Sequence, residues 1–300
     1  MSLAISVAAW YATSVVCTAT TREIDFVSKL ILTTNQFFLS TICSYFACRC
    51  NPSKLKQDQK RRMWILALSF MIGMLSLNLA IGSMHVSLAM TMRATEPLFT
   101  LLLTLSFSGQ GALPNKRSLA CLIPIVAGAG LSSLSSVEFT AIGLCLVGLS
   151  NVSFATRAIF YKDTKSASGL NSFEMFYYIS RNASFLYFGL CCVAYFLDQK
   201  FSSSSISDVI TNVSSMSMLL INGVCFFLYL QLSVVVLSQV SAITHGVMNS
   251  MRRPVTIAAS ALWFHRDLSN PNKIGICLAC LGSMFYSLSQ RVGGKHDKKK

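Results

Sequence analysis

Stretches of about twenty apolar residues recur along the chain, separated by short polar or glycine-bearing breaks, and a helix of that length matches the hydrocarbon thickness of a bilayer. They fall near residues 2–21, 30–48, 63–83, 86–107, 118–136, 139–160, 172–197, 213–236, 240–264 and 274–290. The pattern predicts an all-α integral membrane protein with ten transmembrane helices. Gly82-Ser83-Met84-His85 separates helices 3 and 4, Gly109 to Pro114 separates helices 4 and 5, and Ser202 to Ser207 belongs to the link between 7 and 8. Links this short make neighbouring helices antiparallel. Ser2 to Thr21 is uncharged, lacks a basic segment ahead of it and is about as long as a span, so it reads as helix 1 and not as a cleavable presequence.

Composition agrees with this class. Hydrophobic residues make up 53% of the 300, charged residues only 12%, and the mean hydropathy is +0.56, which excludes an ordinary soluble domain. The net charge of +14 would suggest nucleic acid in a soluble chain. Here most basic residues sit in short links, where they report topology. Fifteen of the 25 fall on one side: six between Arg49 and Arg62, then Lys116, Arg117, Lys162 and Lys165, and five in the tail from Arg291. Arg22, Lys29, Lys200, Arg266 and Lys273 lie on the other, so both termini are expected in the cytosol. The eleven cysteines are scattered, and the only CxxC, Cys277 to Cys280, lies within a span, so neither metal nor cofactor is expected.

Five basic residues remain, and all fall inside predicted spans: Arg93, Arg157, Arg181, Arg252 and Arg253. Glu96 and Glu174 alone offset them. A charge at mid-bilayer costs about 2.5–3.5 kcal/mol on insertion scales, so each requires a reason. Arg93 has a local partner in Glu96 at i,i+3, and Arg157 and Arg181 have the alternative of snorkelling to an interface. Arg252 and Arg253 have neither, because the run from Val209 to Met251 ahead of them is uncharged. An anionic ligand is their natural partner, and two adjacent guanidinium forks suit phosphate better than a single carboxylate. His245 nearby reads first as a packing or hydrogen-bonding group, with proton coupling as the alternative.

A gapless offset of 157 residues aligns Pro97 with Pro254, Leu105 with Leu262, Phe107 with Phe264, and Pro114-Asn115-Lys116 with Pro271-Asn272-Lys273. The chain therefore divides into two five-helix halves, residues 1–136 and 137–300, forming one transporter domain. An odd number of spans per half gives them opposite orientations, the inverted repeat of many secondary transporters. Arg93 to Pro97 and Arg252 to Pro254 then occupy equivalent places, each with a proline that frees a backbone carbonyl beside a charge.

Three ordered segments carry a family resemblance: Arg93-Ala-Thr-Glu-Pro-Leu-Phe99, Ser150-Asn-Val-Ser-Phe-Ala-Thr-Arg157 with Tyr161-Lys162, and Thr244-His245 through Asn249 to Arg252-Arg253. Leu228-Tyr229-Leu-Gln231 and Leu170-Asn-Ser172 through Tyr178-Ile-Ser180 extend it. The sequence resembles the triose-phosphate/phosphate translocators, relatives of the nucleotide-sugar transporters in the drug/metabolite transporter superfamily. That resemblance implies a ten-helix antiporter, without ATP or cofactor, swapping phosphate for triose phosphate, 3-phosphoglycerate, phosphoenolpyruvate or a sugar phosphate. Its partners would be those small anions and the surrounding lipid, with no nucleic acid and no obligate protein partner.

By position, the family's phosphate ligands become Arg93, Tyr229, Arg252 and Arg253, with Glu96, Asn78, Arg157 and His245 as supporting residues. Met74 and Leu77 stand where the family has histidine and threonine, which leaves the organic part of the substrate open. The resemblance places the protein in an organellar membrane, the plastid envelope first. A nucleotide-sugar transporter of the ER or Golgi is the alternative, although such relatives resemble Lys-Thr or Lys-Val where Arg252-Arg253 stands. A membrane-embedded enzyme lacks support in paired acids or a nucleophile arrangement, and a scaffold has no use for uncompensated cations in the bilayer.

Overall fold

The computed structural model describes residues 2–24, 28–48, 55–108, 119–134, 140–197, 213–240, 242–265 and 269–296. Among them there is no strand. The helices are α1 (Leu3–Glu23), α2 (Ser28–Ala47), α3 (Gln57–Ser83), α4 (Val86–Arg93), α5 (Glu96–Ser108), α6 (Leu122–Leu134), α7 (Ala141–Ser168), α8 (Ser172–Leu197), α9 (Val213–Gln239), α10 (Ala242–Trp263) and α11 (Asn270–His296). The links 4–5 and 7–8, and the last four residues of the basic tail, lie outside the described residues.

A helix covers every predicted stretch, with two differences. Three helices run past their apolar stretches: α3 begins at Gln57, α7 continues to Ser168 and α11 to His296. Hydropathy marks only the part of a helix that lipid could cover, and these polar ends extend beyond it. The fourth stretch is not one helix but two, interrupted at Ala94 and Thr95. Pro97 thus sits in the first turn of α5, where its missing N–H costs nothing, whereas Pro254 lies inside an α10 that runs unbroken across it. By length and apolarity α1, α3, α7 and residues Met216–Leu237 of α9 are sufficient to cross a membrane.

A buried core including Phe37, Met63, Leu66, Phe70, Tyr187 and Phe226 holds the helices together, and the exterior is apolar as well. Phe38, Phe46, Ile123, Ile142, Phe185, Phe188 and Leu262 face outward, each at least 60% exposed, while Ser6, Ser40, Thr33, Gln36, Asn78 and Asn222 are enclosed. An apolar coat of this extent is stable against lipid and not against water. Helix α3 packs on α7 and α8, α1 on α9 and α10, α2 on α8 and α9, and α6 on α11. The last pair crosses backbone to backbone at Gly128 and Gly275, where a Cβ on Gly128 would lie 2.5 Å from the Gly275 carbonyl oxygen.

A chain of amides ties four helices together beside this core. Asn78 Nδ2 donates to Thr33 Oγ1 at 3.0 Å and to Gln36 Oε1 at 2.8 Å, and Gln36 Nε2 donates to Asn222 Oδ1 at 2.8 Å. Asn222 Nδ2 reaches the Cys17 carbonyl at 2.9 Å and the hydroxyls of Thr20 and Thr21 at 2.8 and 3.0 Å. Replacing Asn222 by leucine leaves Gln36 Nε2 without its acceptor, while the Cys17 carbonyl keeps the Thr20 and Thr21 hydroxyls. We expect Asn222→Leu to destabilise the protein by about 1–2 kcal/mol, read as a lower melting temperature in detergent.

Candidate substrate site

Helix 4 breaks so that Arg93 ends α4 and Glu96 begins α5, which turns both side chains toward the middle of the bundle. The Arg93 guanidinium donates to Glu96 Oε2 at 3.2 Å, to Ser150 Oγ at 3.2 Å and to Asn151 Oδ1 at 3.2 Å, and its carbon stands 4.5 Å from the Phe154 ring centre. The same Glu96 oxygen accepts from Arg253 Nη2 at 3.0 Å, and Arg253 Nη1 lies 3.4 Å from Ser283 Oγ. One carboxylate therefore serves two arginines, one from each half of the chain.

Arg252, one position earlier on α10, points to α1. Its Nη1 donates to Ser14 Oγ at 2.9 Å, its guanidinium lies 5.3 Å from the Tyr229 ring and 5.8 Å from Trp10, and its Nε has no hydrogen-bond partner among the described residues. Arg157, on α7, lies 5.0 Å from the Phe70 ring and 5.2 Å from Phe154. Among the described residues neither Arg157 nor Arg252 forms an ion pair. Aromatic faces hold a guanidinium in a dry setting without cancelling its charge.

These groups surround a cavity of about 310 Å3. All ten residues singled out from the sequence line it: Arg93, Glu96, Arg157, Tyr229, Arg252, Arg253, Asn78, His245, Met74 and Leu77. Asn78 reaches it from a position where both of its amide protons are already committed to Thr33 and Gln36. His245 stacks on Trp10 with ring centres 5.1 Å apart and its Nε2 lies 2.9 Å from Ser233 Oγ, the setting of a packed, hydrogen-bonded ring.

The other two charges of the apolar stretches, Arg181 and Glu174, are elsewhere. Arg181 rests against Tyr177 and Tyr178 and donates to Asn182, and Glu174 Oε2 accepts from the Asn171 N–H at 2.9 Å at the start of its own helix. Neither lines the cavity. The cavity thus holds four arginines and one carboxylate, an excess of three positive charges.

Sequence reasoning missed the wall that α1 provides. Trp10, Ser14, Cys17, Thr18 and Thr21 line the cavity from one helical face. The signal was present as a polar stripe at i, i+3 and i+4 spacing in an uncharged helix, which a charge census does not register.

Comparison with known proteins now bears on this geometry. The sequence profile of the Triose-phosphate Transporter family matches residues 1–287. The chain belongs to that family. Among relatives in the family, the triose phosphate/phosphate translocator of non-green plastids from Brassica oleracea is 29% identical over 275 residues, covering 89% of this chain and 67% of its own length. Phosphoenolpyruvate/phosphate translocators 2 and 1 of Arabidopsis thaliana are each 32% identical, over 240 and 251 residues, covering 78% and 82% of this chain. The chain spans 61% and 60% of the length of those two relatives. In this Triose-phosphate Transporter family member, three of the quoted segments, ending at Phe99, Arg157 and Arg253, contribute to one cavity.

Proposed function

We propose that this chain is a secondary antiporter that exchanges inorganic phosphate for a small phosphorylated metabolite by alternating access through the arginine-lined cavity. The observation that carries this reading is the cavity's charge, four guanidinium groups against one carboxylate in about 310 Å3. Such an excess of cations within a bilayer calls for an anion that completes it.

Glu96 acts in the empty cavity as a stand-in for that anion, since it pairs with both Arg93 and Arg253. An entering phosphate meets Arg252 and Arg157 first. Arg93 and Arg253 then exchange part of their contact with Glu96 for phosphate oxygens, which their planar forks match. The Tyr229 hydroxyl adds a donor beside Arg252. Arg157, between Phe70 and Phe154, remains for a second acidic group such as the carboxylate of a phosphorylated three-carbon acid. Along the same wall Met74 and Leu77 offer no hydrogen bonds, so a hydroxyl-rich organic part has few partners there. The relatives' names, translocators of triose phosphate or phosphoenolpyruvate against phosphate in chloroplasts or other plastids, agree with this substrate class and favour the plastid envelope.

Two five-helix halves of opposite orientation supply the two access states in this reading. Helix packing supports the division: exchanging the halves maps the α3–α7 contact onto α9–α1 and the α3–α8 contact onto α9–α2, while α2–α8 and α6–α11 map onto themselves, and all six are present. Glu96 and Arg253, equivalent under the 157-residue offset, meet in the ion pair at the centre. With both termini in the cytosol, each half presents one end of the cavity to each compartment.

The test is counter-exchange by purified protein in liposomes preloaded with phosphate. We expect labelled phosphate uptake that three-carbon phosphorylated acids suppress at lower concentration than hexose phosphates. Exchange of nucleotide sugars without phosphate exchange would move the protein to the alternative substrate class.

A further inference from the structure

The interruption at Ala94 and Thr95 leaves backbone groups that an unbroken helix would pair, and in hydrocarbon such groups must find partners inside the protein. The Met92 carbonyl accepts from the Thr95 N–H at 3.1 Å and the Thr95 hydroxyl at 2.7 Å, and Asn151 on α7 bonds to the same segment. Its Nδ2 donates to the Met92 carbonyl at 3.1 Å, at the end of α4, and to Thr95 Oγ1 at 3.1 Å, within the break. Its Oδ1 accepts from Arg93 Nη1 at 3.2 Å. The adjacent Ser150 Oγ accepts from the same Arg93 nitrogen at 3.2 Å and donates to the Gly73 carbonyl of α3 at 2.9 Å. Both side chains are enclosed, at 0% and 1% exposure for Ser150 and Asn151.

These contacts allow the Asn151 amide one orientation. Flipped, its oxygen would face the Met92 carbonyl and its NH2 would face a guanidinium, so the bonds to Met92 and to Arg93 would be lost together. The residue type follows as well. An amide oxygen holds Arg93 without neutralising it, whereas a carboxylate in that place would join Glu96 in cancelling charge that an incoming anion needs.

We propose that Asn151 is a positioning residue for the phosphate site, joining the helix break and the Arg93 guanidinium to α7 so that the seat of α7 sets the direction of the Arg93 fork. This rests on the reading of Arg93 as a phosphate ligand. Asn151 itself touches no substrate in this role. Ser150 acts in the same direction with a smaller share, because its bond to Gly73 is independent of the break.

The test measures phosphate binding to the detergent-purified full chain, as the phosphate concentration needed for a fixed rise in melting temperature. Asn151→Ala and Asn151→Asp are each expected to raise that concentration about tenfold, the loss associated with a hydrogen bond to a charged group. In an Arg93→Ala background Asn151→Ala is expected to add nothing, because its effect runs through Arg93. An Asn151→Ala effect that persists undiminished without Arg93 overturns the proposal, and so does normal binding by Asn151→Asp. If Asn151→Ala fails to fold, Asn151→Asp decides, since it keeps the side-chain shape and changes only charge and donors. Should Arg93→Ala itself bind phosphate normally, the reading of Arg93 as a ligand falls and this proposal with it. Weak binding by Arg93→Ala beside normal binding by the Asn151 variants overturns the positioning role alone.

Discussion

Arg253→Ala is expected to lower phosphate counter-exchange in liposomes on the order of a hundredfold or more while leaving a folded protein. Removing one partner of an enclosed, charge-assisted contact costs about 2–5 kcal/mol, and each 1.4 kcal/mol is a factor of ten. Folding survives because Glu96 retains Arg93 at 3.2 Å, so no carboxylate is left unpaired by the change. Arg181→Ala is the matched control. It removes an intramembrane arginine that rests on Tyr177 and Tyr178 outside the cavity, and exchange should stay within about twofold of the parent. Equal loss in both variants, measured per unit of folded protein, would mean that general destabilisation and not the cavity governs flux. Retained exchange in Arg253→Ala would remove Arg253 from the site.

Movement of phosphate out of liposomes should depend on an anion on the opposite side by a factor on the order of a hundred. The cavity without substrate carries four arginines against Glu96. In the proposed exchange cycle, moving the two halves past one another with this excess unmatched would cost several kcal/mol, because charges would leave high dielectric without a partner. A bound dianion would offset most of it, so on that proposal the loaded protein crosses and the empty one does not. Phosphate, which fits the arginine group by itself, should therefore serve as its own counter-substrate. Net efflux at the exchange rate, with no anion outside, would show that the empty cavity crosses freely and would rule out antiport.

The two expectations share a cause. In the proposed site phosphate would compete with Glu96 for Arg93 and Arg253, yet would find Arg252 and Arg157 without carboxylate partners among the described residues. A site with every arginine paired would bind anions poorly, and one with no carboxylate would be costly to fold in a bilayer. Asn151 adds a neutral hold on Arg93 that leaves its charge available.

Membrane class, the approximate positions of the helices and the identity of the charges within apolar stretches follow from the sequence by itself, because length and apolarity of a stretch are local properties that decide whether it can lie in lipid. The resemblance at Arg93 to Phe99, at Ser150 to Arg157 and at Arg252-Arg253 likewise rests on neighbouring residues. Tertiary structure decided which charges belong together. Arg157 and Arg181 look alike in a linear count, yet one lines the cavity between Phe70 and Phe154 and the other packs against tyrosines away from it. Glu96 and Arg253 meet although 157 residues separate them, and α1 completes the wall with Trp10 and Ser14 although it carries no intramembrane charge. The break at Ala94 and Thr95 also needed the fold, since Asn151 of another helix bonds there to the Met92 carbonyl and the Thr95 hydroxyl, while α10 passes Pro254 unbroken. Local composition sets how far a helix extends; which of its faces meets which neighbour depends on packing between segments remote in sequence.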